Sequence, residues 1–444
     1  MASFHSMEEL PSGWRVTKLG AVASVDWGNT SLTKSNYTAS GFPAFSASGH
    51  DGFMKSFEHE GRAIIVSAIG ARCGKCFLAD GRWTAIKNTI VIKPTTDLID
   101  LDFLYFFVND ETYWTRTGSG QPFIAIGRAR EHSVILPPIH EQRAIGHVLR
   151  TVQLAKVHTD RVIAAAHQLK ASLMRHLLNY GPVSISEASE VEVCETDIGW
   201  LPSHWQVQPL STVATVKTST ASTKAVSAAT TSSSDSAIVH FVKVADMNLT
   251  GNERRFTHSN VMMNVEKRIT TKLNAVPSQA TVLPKRGAAI ATNKKRMTTT
   301  YTLLDPNLMA VIPSAGLVPE YLFAWFETFD LRSITDTTTL PQLNKKDIEP
   351  LPFPVPPLNE QRAIADMLST VQAKVSTEHS RSAALHGLFE SLLDNLMTGK
   401  QRMVGFDVKG STEKRKRSSL ADIFGKWPGD ETDEQVRKAL EEMD

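Results

Sequence analysis

Two segments of the chain carry apolar residues at steps of three and four positions. Such steps predict a long amphipathic helix with a narrow apolar stripe. Gly181-Pro182 is expected to end the first helix and Gly399 the second. At roughly 40 residues and a rise of about 1.5 Å per residue, each helix would span about 60 Å. The predicted stripe is Ile145, Leu149, Val152, Val162, Ala166, Leu169, Leu173 and Leu177 in the first helix, and Ile364, Leu368, Val371, Val375, Leu385, Leu388, Leu392 and Leu396 in the second.

The segment before each helix has a different pattern, in which short β-branched runs alternate with glycine-rich turns. An aromatic-rich stretch with helical character follows the runs in both segments. Together these features predict a mixed α/β domain before each helix. The β-branched runs lie at 63–66, 89–92, 280–283 and 308–312, and the aromatic stretches at 101–108 and 321–329.

The chain repeats itself, and the repeat covers both kinds of segment. The sequence LPSGWRV at 10–16 returns as LPSHWQV at 201–207, and PPIHEQRAI at 137–145 returns as PPLNEQRAI at 356–364. The first match is offset by 191 residues and the second by 219, so the second copy holds 28 additional residues. The Ser/Thr/Ala-rich stretch 217–236 is predicted to supply much of this difference as a mobile loop.

The order of the repeat predicts an α+β protein with two mixed α/β domains separated by two long helices. A narrow stripe needs a partner, and the second helix offers one. We expect the helices to pair as an antiparallel coiled coil with pseudo-two-fold symmetry; the alternative is that each helix packs only on its own domain. The predicted boundaries are 1–137 (first domain), 138–182 (first helix), 183–356 (second domain), 357–402 (second helix) and 403–444 (linker and short helical tail).

Composition restricts the possible locations of the chain more than its possible partners. The net charge of +2 is nearly neutral, but a basic surface is a local property that an average hides. The sequence contains no run of about 18 apolar residues, so no membrane helix is predicted. The segment 1–10 contains Glu8 and Glu9 and lacks the apolar region of a secretory signal. Three cysteines argue for a reducing compartment, so a cytoplasmic location is expected.

Basic residues and glutamines gather near the loops of both α/β segments. These side chains suit contacts with DNA phosphates and base edges; the alternative is a solvated surface loop. The two segments are alike at their ends and differ in the middle, which predicts a shared frame with different recognition surfaces. The candidate DNA contacts are Arg72, Lys75, Lys87, Arg116, Gln121 and Arg128 in the first segment, and Lys285, Arg286, Lys294, Lys295, Arg296, Gln342, Lys345 and Lys346 in the second.

The duplicated Leu-Pro-Ser-x-Trp opening and Pro-Pro-Ile/Leu-x-Glu-Gln-Arg-Ala-Ile helix entry resemble the specificity subunits of type I restriction-modification systems, over residues 8–402. The resemblance implies that each α/β domain is a target-recognition domain that binds one half of a split site in double-stranded DNA. It implies that the helices set the half-site spacing and dock two modification subunits, which carry S-adenosylmethionine and methylate adenine. Two further restriction subunits would add ATP- and Mg-dependent translocation and cleavage, and this chain would hold no cofactor.

Polar residues near each helix start lie within the matching motif. They are Glu141, Gln142 and Arg143 in the first copy, and Glu360, Gln361 and Arg362 in the second. One interpretation is contact between domains or with a partner subunit. The other is helix capping and a local ion pair.

Catalytic motifs are absent from the sequence. It contains no Asn-Pro-Pro-Phe/Tyr methyltransferase segment, no Walker phosphate loop and no Glu-x-Lys tripeptide. Cys73-Gly74-Lys75-Cys76 has no second Cys or His pair at zinc spacing, so we interpret it as two cysteines of a recognition loop. No metal site is predicted.

Two other functions compete with DNA specificity in a restriction complex. One is a protein-interaction scaffold built on the coiled coil, without DNA; paired basic, glutamine-containing loops favour DNA. The other is a specificity subunit of a methylation-only system, which this chain alone does not distinguish. The basic run 414–417 in the tail could touch phosphates or be solvated, and the family pattern does not cover it.

Overall fold

The computed structural model describes residues 10–118, 120–219, 238–264, 275–335 and 341–405. The chain divides into two compact units. Unit 1 combines the residues up to Ala155 with those from Leu385 onward, and unit 2 is Lys156–Ala384. The division crosses both long helices, so each unit contains the start of one helix and the end of the other. The predictions for the Ser/Thr/Ala-rich loop and the tail lie outside the described residues, apart from 217–219 and 403–405.

Unit 1 contains twelve labelled strands and three short helices among its described residues, besides its parts of the long helices. The strands are β1 Arg15–Lys18, β2 Ala23–Trp27, β3 Phe42–Ser46, β4 Gly49–Met54, β5 His59–Glu60, β6 Ala63–Ser67, β7 Cys76–Ala79, β8 Arg82–Ala85, β9 Thr89–Pro94, β10 Arg116–Thr117, β11 Phe123–Ile124 and β12 Ser133–Leu136. The short helices are α1 Leu19–Val22, α2 Leu101–Val108 and α3 Ile126–Glu131, with a 3-10 turn at Lys34–Asn36.

Two four-stranded sheets form the body of unit 1, with strand orders β2-β9-β6-β7 and β4-β3-β8-β5. Every residue of β6 is buried, and its Ala-Ile-Ile-Val run is typical of a strand covered on both faces. The aromatic helix α2 packs on β6 and β7. It begins after Asp100, whose carboxylate accepts a hydrogen bond from Phe103 N at 3.0 Å.

Unit 2 has a second set of strands and helices. The strands are β13 Val193–Thr196, β14 Gly199–Pro202, β15 Gln206–Pro209, β16 Ala214–Thr218, β17 Ile238–Val242, β18 Arg255–Phe256, β19 Val261–Asn264, β20 Thr281–Pro284, β21 Arg296–Thr298, β22 Thr302–Leu304, β23 Leu308–Pro313 and β24 Pro352–Val355. The short helices are α5 Leu210–Val213, α6 Ala288–Ala291, α7 Pro319–Thr328 and α8 Lys345–Ile348, with 3-10 turns at Ala188–Glu190, Val244–Asn248 and Leu331–Ile334. The long helices are α4 Ile139–Tyr180 and α9 Leu358–Met397.

The two units share a frame and differ around it. In unit 1, β9 lies between β2 and β6, and β1 pairs with β12; in unit 2, β23 lies between β16 and β20, and β15 pairs with β24. Unit 1 adds the four-stranded sheet of β3, β4, β5 and β8. In the framework sheet of unit 2, β21 lies beside β20 as β7 lies beside β6 in unit 1. Unit 2 adds β18 at the edge of that sheet and a three-stranded sheet in the order β19-β17-β22. The prediction of mixed α/β domains with repeated ends and different centres is therefore confirmed.

The long helices run antiparallel where unit 2 contains both of them. Lys170 Nζ donates to Gln372 Oε1 at 2.7 Å, and Ser382 Oγ donates to Asp160 Oδ1 at 2.6 Å. Residue numbers thus rise along α4 while those of the facing residues on α9 fall, as antiparallel helices require. In unit 1 the other ends meet, since Leu396 of α9 is buried in the same core as Leu149 of α4.

The seam of α4 differs from the predicted stripe in its central part. Val162 and Leu169 are 40% and 58% exposed, whereas Ile163 is 8% and Lys170 9% exposed. Thr159 is also buried. The seam follows Thr159, Ile163 and Lys170 at heptad-like steps, so polar residues occupy seam positions that hydrophobicity alone assigns to their neighbours.

None of the helices in the described ranges is long and apolar enough to cross a membrane.

Candidate nucleic-acid interface

Unit 1 gathers its loops at one end of its two sheets. Neighbouring strands of β2, β9, β6 and β7 are antiparallel, so the connections after β2 and β6 and before β7 and β9 lie at the same end. Gly70 N donates to Pro122 O at 2.9 Å, and Lys87 N donates to Leu32 O at 3.2 Å. These bonds join separate loops into one surface. We call it the unit 1 loop surface, formed by residues 28–36, 47–48, 68–75, 86–88 and 120–123.

Four of the predicted DNA contacts lie on the unit 1 loop surface and are exposed. They are Arg72, Lys75, Lys87 and Gln121. Arg72 Nη1 donates to Ser48 O at 3.3 Å, which orients the guanidinium across two of the loops. The Lys75 ammonium lies 6.0 Å from the centroid of the Phe77 ring. The structure therefore groups residues that are up to 49 positions apart in the sequence.

A cleft of about 390 Å³ opens on this surface, and it shows residues that the sequence analysis missed. Lys34, Ser48 and Asn88 line it together with the predicted Lys87. Asn88 has a φ of 69°, in the left-handed region that asparagine tolerates better than most residues. The polar run NTSLTKSN at 29–36 was the available signal for Lys34, because such a run between strands indicates an exposed loop.

Two further candidates of unit 1 are exposed but lie on other elements. Arg116, on β10, donates from Nη2 to Glu111 O at 2.7 Å and lies 3.4 Å from the Glu111 carboxylate. Arg128 is on α3, which packs against α1 and β2. Their contact with DNA stays a prediction.

Unit 2 builds a corresponding surface from the equivalent strands. In unit 2 a backbone bridge joins Arg286, two residues beyond β20, to Gln342. It is equivalent to the unit 1 bridge that joins Ile69, two residues beyond β6, to Phe123. Lys285 N donates to Asn307 O at 2.7 Å. Three predicted contacts, Lys285, Arg286 and Gln342, are thereby brought together. We call residues 285–287, 305–307 and 341–344 the unit 2 loop surface.

The basic run 294–296 does not form one exposed patch. Lys295 and Arg296 are only 5% and 8% exposed. Lys295 Nζ donates to Phe329 O at 2.6 Å, and Arg296 Nη2 donates to Met247 O at 2.7 Å. Burial lowers the pKa of Lys295 to about 8. The surface prediction is corrected for these two residues, because their side chains satisfy carbonyl groups inside the domain.

The remaining candidates of unit 2 keep varying degrees of exposure. Lys294 is partly buried, and its Nζ bonds to Asn248 Oδ1. Lys345 and Lys346 are exposed on α8, and Lys345 Nζ lies 3.1 Å from Glu349 Oε1. Contact of these three residues with DNA stays a prediction.

The two cysteines of the C-x-x-C sequence are buried at the base of the unit 1 loop surface. Cys73 Sγ donates to Ala68 O at 3.3 Å and Cys76 Sγ to Val108 O at 3.4 Å. Burial raises the pKa of both thiols, so they stay protonated and support the loop. Among the described residues, no group of three or more His, Cys, Asp or Glu side chains is placed to hold a metal ion.

Glu141 connects the start of α4 to the rest of unit 1. Its side chain is fully buried and accepts hydrogen bonds from Trp14 Nε1 at 3.1 Å, Arg402 Nε at 2.8 Å and Met403 N at 3.0 Å. Burial alone would raise the pKa of this carboxyl. The bonds from Arg402, Met403 and Trp14 outweigh burial and hold the pKa below its usual value.

Glu360 has the equivalent position in unit 2, with a tryptophan partner as before but with His204 and not an arginine beside it. It accepts from Trp205 Nε1 at 2.9 Å and lies 2.8 Å from His204 Nε2. The glutamines behave alike in both units: Gln142 Oε1 accepts from Asp100 N and Gln361 Oε1 from Val318 N, each at 2.9 Å. These four residues therefore make contacts between helix and domain, which is one of the two interpretations of the motif.

The arginines of the motif are directed away from these contacts. Arg143 and Arg362 are both exposed. Arg143 lines a cleft of about 470 Å³ between the start of α4 and the segment before α2, together with Thr96 and Asp97. These two residues remain predicted partner contacts.

Comparison with known proteins decides the family. The model of the type I restriction modification DNA specificity domain matches residues 11–161 and 202–386, which together are more than half of the chain. The chain belongs to this family. Both matches contain one framework sheet, one loop surface and the start of one long helix, so this specificity subunit has two DNA recognition domains. The alternative of a scaffold without DNA is thereby decided against.

Relatives of similar length support the assignment. The chain is 22% identical to the type I restriction enzyme EcoDI specificity subunit of Escherichia coli, covering 89% of this chain and 90% of the relative. It is 20% identical to the MjaX specificity subunit of Methanocaldococcus jannaschii, covering 89% and 95%. A crystal structure of a type I S subunit from M. genitalium shares the fold, with a TM-score of 0.63 at 14% identity over 88% of this chain and 98% of the other.

Replacing Glu141 by glutamine tests the helix connection. The folded-state pKa of Glu141 is lowered, so its charge stabilises the fold above the ordinary carboxyl value of 4.5 and this stabilisation is lost as pH falls through the folded-state pKa. We expect Glu141→Gln to reduce the free energy of unfolding by about 2 kcal/mol at pH 7. The difference from the unchanged chain should shrink below pH 4.5, as measured by urea unfolding across pH. The exposed Glu195→Gln is the control; an equal loss in both variants would contradict this role.

Neutralising the unit 1 loop surface tests its contact with DNA. Arg72→Ala and Lys75→Ala should each weaken DNA binding by the assembled complex and lower the slope of log affinity against log salt by about 1. Arg15→Ala removes an exposed cation on β1, outside this surface, and should leave the slope unchanged. Fluorescence anisotropy at several salt concentrations measures both quantities. Unchanged slopes for Arg72→Ala and Lys75→Ala would remove this surface from the interface.

Proposed function

We propose that this specificity subunit directs a type I restriction-modification complex to a bipartite, asymmetric DNA site, and that each loop surface binds one half of it. The observation that carries the proposal is the pair of equivalent bridges. One frame presents Ile69 and Phe123 in unit 1 but Arg286 and Gln342 in unit 2. An apolar pair suits a thymine methyl group, whereas arginine and glutamine suit hydrogen bonds to base edges or phosphates. Two surfaces so different would select different half-sites.

We propose that the long helices set the distance between half-sites and dock two modification subunits. A helix changes its length in steps of about 1.5 Å per residue and bends little, which suits a spacer. Val162 and Leu169 support docking, since they are seven residues apart on one face of α4 and remain 40% and 58% exposed. These two side chains are proposed to lie within the surface that a modification subunit covers.

The chemistry is proposed to lie on the partner subunits. S-adenosylmethionine would be held by the two modification subunits, which methylate adenine. ATP and Mg would be held by two restriction subunits, where the system includes them. The role of this chain in either case is to bring those subunits to a DNA sequence. A complex with modification subunits alone would differ in cleavage and not in the methylated motif.

Exchanging the bridge residues tests the division of the site. We expect Arg286→Ile combined with Gln342→Phe to alter or relax one half of the methylated motif, because only the unit 2 loop surface changes. The reciprocal pair, Ile69→Arg with Phe123→Gln, should alter the other half. Methylome sequencing of cells that carry each variant with its modification subunit gives the motif directly.

In both variants the second half-site and the spacer should be unchanged. A motif that changes in both halves would contradict the assignment of one half to each unit. Absence of any split motif with the unchanged chain would contradict the proposed function as a whole.

A further inference from the structure

Lys170 is a buried charge in the seam of α4. The residue is 9% exposed, and its Nζ donates to Gln372 Oε1 at 2.7 Å and to the two carboxylate oxygens of Glu327 at 3.0 and 3.1 Å. All three contacts lie within unit 2. They connect α4, α9 and α7, so one ammonium group joins both long helices to the recognition domain.

Glu327 extends the contact deeper into the domain. Arg254 Nη2 lies 3.5 Å from Glu327 Oε2, and the Arg254 guanidinium lies 4.7 Å from the centroid of the Phe323 ring. Arg254 directly precedes β18, and its backbone oxygen accepts from Met297 N at 2.9 Å. We call Lys170, Gln372, Glu327 and Arg254 the Lys170 cluster. The cluster continues from the helix seam to the strands β18 and β21 of the recognition domain.

The cluster is poorly explained by stability alone. Well-packed apolar residues in place of a buried ion pair are often neutral or stabilising, because they avoid the desolvation of two charges. The best-attested role of a buried polar residue in a helix pair is to fix the register. Sliding α9 by one turn would place Leu368 or Val375 where Gln372 now meets Lys170. Both are buried and apolar, so the ammonium would lose this acceptor.

The equivalent position in unit 1 has a different chemistry. The 219-residue offset aligns Lys170 with Phe389 and Glu327 with Val108. Phe389 packs beside Phe106, with ring centroids 5.8 Å apart. Aromatic contact of this kind is less directional than charged hydrogen bonds and tolerates small displacements. The same offset aligns Gln372 with Gln153, so the difference lies in the Lys170–Glu327 ion pair, whose two positions hold Phe389 and Val108 in unit 1.

We infer that the Lys170 cluster fixes the axial register between the long helices and the recognition domain of unit 2, and that Lys170 is thereby a positioning residue for half-site spacing. This inference rests on the proposed function. The inference distinguishes the mean length of the spacer from the strictness with which the complex selects that length. Helix length sets the mean spacer, and the cluster sets how strictly the complex rejects spacers one base pair longer or shorter.

Replacing Lys170 by methionine tests the inference, since methionine keeps the length of the side chain and removes its charge. The assembled complex is assayed for adenine methylation on duplexes with identical half-sites and the native spacer, or one base pair less or more. We expect discrimination between native and altered spacers to fall by about tenfold or more, because even a single hydrogen bond to a charged group contributes that much and the variant loses all those of Lys170. The half-site sequences should stay the same.

Matched variants separate positioning from general damage. Gln168→Met introduces the same methionine at an exposed position two residues away, without removing a charge, and should keep the discrimination. Gln372→Leu removes the same hydrogen bond from the other helix and should reproduce the effect, also if Lys170→Met fails to assemble. Lys170→Arg keeps the charge and donors and should retain most of the discrimination.

Unchanged spacer discrimination in Lys170→Met or, where that variant does not assemble, in Gln372→Leu would overturn the inference. An equal loss of methylation at all spacers in either variant would also overturn it, because that result indicates structural damage without a change of register. If the unchanged complex methylates no split site, the proposed function fails, and that result is distinct from a spacer-selective complex that is indifferent to Lys170.

Discussion

The narrow apolar stripe on each long helix is the constraint on which the rest of the structure depends. A single helix of about 40 residues with such a stripe cannot bury its apolar face alone, and propensity does not compensate for that exposure. In unit 2 the buried residues of α4 and α9 are covered by the other helix and by the recognition domain. In unit 1 the end of α9 enters the core that also holds the start of α4. Each recognition domain is therefore completed by helical residues from two distant parts of the chain.

The helix starts are fixed to the domains by buried polar contacts. Glu141 and Glu360 each accept a hydrogen bond from the indole of the Leu-Pro-Ser-x-Trp motif, and Gln142 and Gln361 each bond to the backbone before an aromatic helix. Breaking a buried contact of this kind costs more than making it contributes, so the angle between helix and domain is well determined. A rigid joint of this type suits a protein whose two binding surfaces need a defined separation.

Much of the fold could be predicted from the sequence, because it follows from local pattern and from the repeat. The two helices, the antiparallel order and the mixed α/β domains all result from periodicity and duplication. The seam of α4 could not be predicted correctly, since the hydrophobic pattern assigns Val162 and Leu169 to it, whereas the buried residues are their neighbours Ile163 and Lys170. Burial of Lys170 depends on Glu327 and Gln372, which are far away in the sequence and become neighbours only after folding.

The recognition surfaces were predicted only in part, because contacts between residues distant in the sequence decide which basic side chains are exposed. Arg72, Lys87 and Gln121 could be proposed from charge and loop position, and strand order brings them together. Charge alone misplaced Lys295 and Arg296, because a basic run does not reveal that nearby backbone carbonyl groups need donors. The partner of Glu141 was equally hidden, since Arg402 lies 261 residues away along the chain.

The central claim is that the long helices set the distance between the two half-sites and that the loop surfaces select their base sequences. Its most direct test inserts one helical turn in both long helices, four residues after Ala164 and four at the facing position of α9, followed by methylome sequencing. Four residues add about 6 Å, and the DNA rise is about 3.4 Å per base pair, so the spacer should lengthen by one or two base pairs while both half-sites stay unchanged. Altered half-sites with the original spacer would contradict the account.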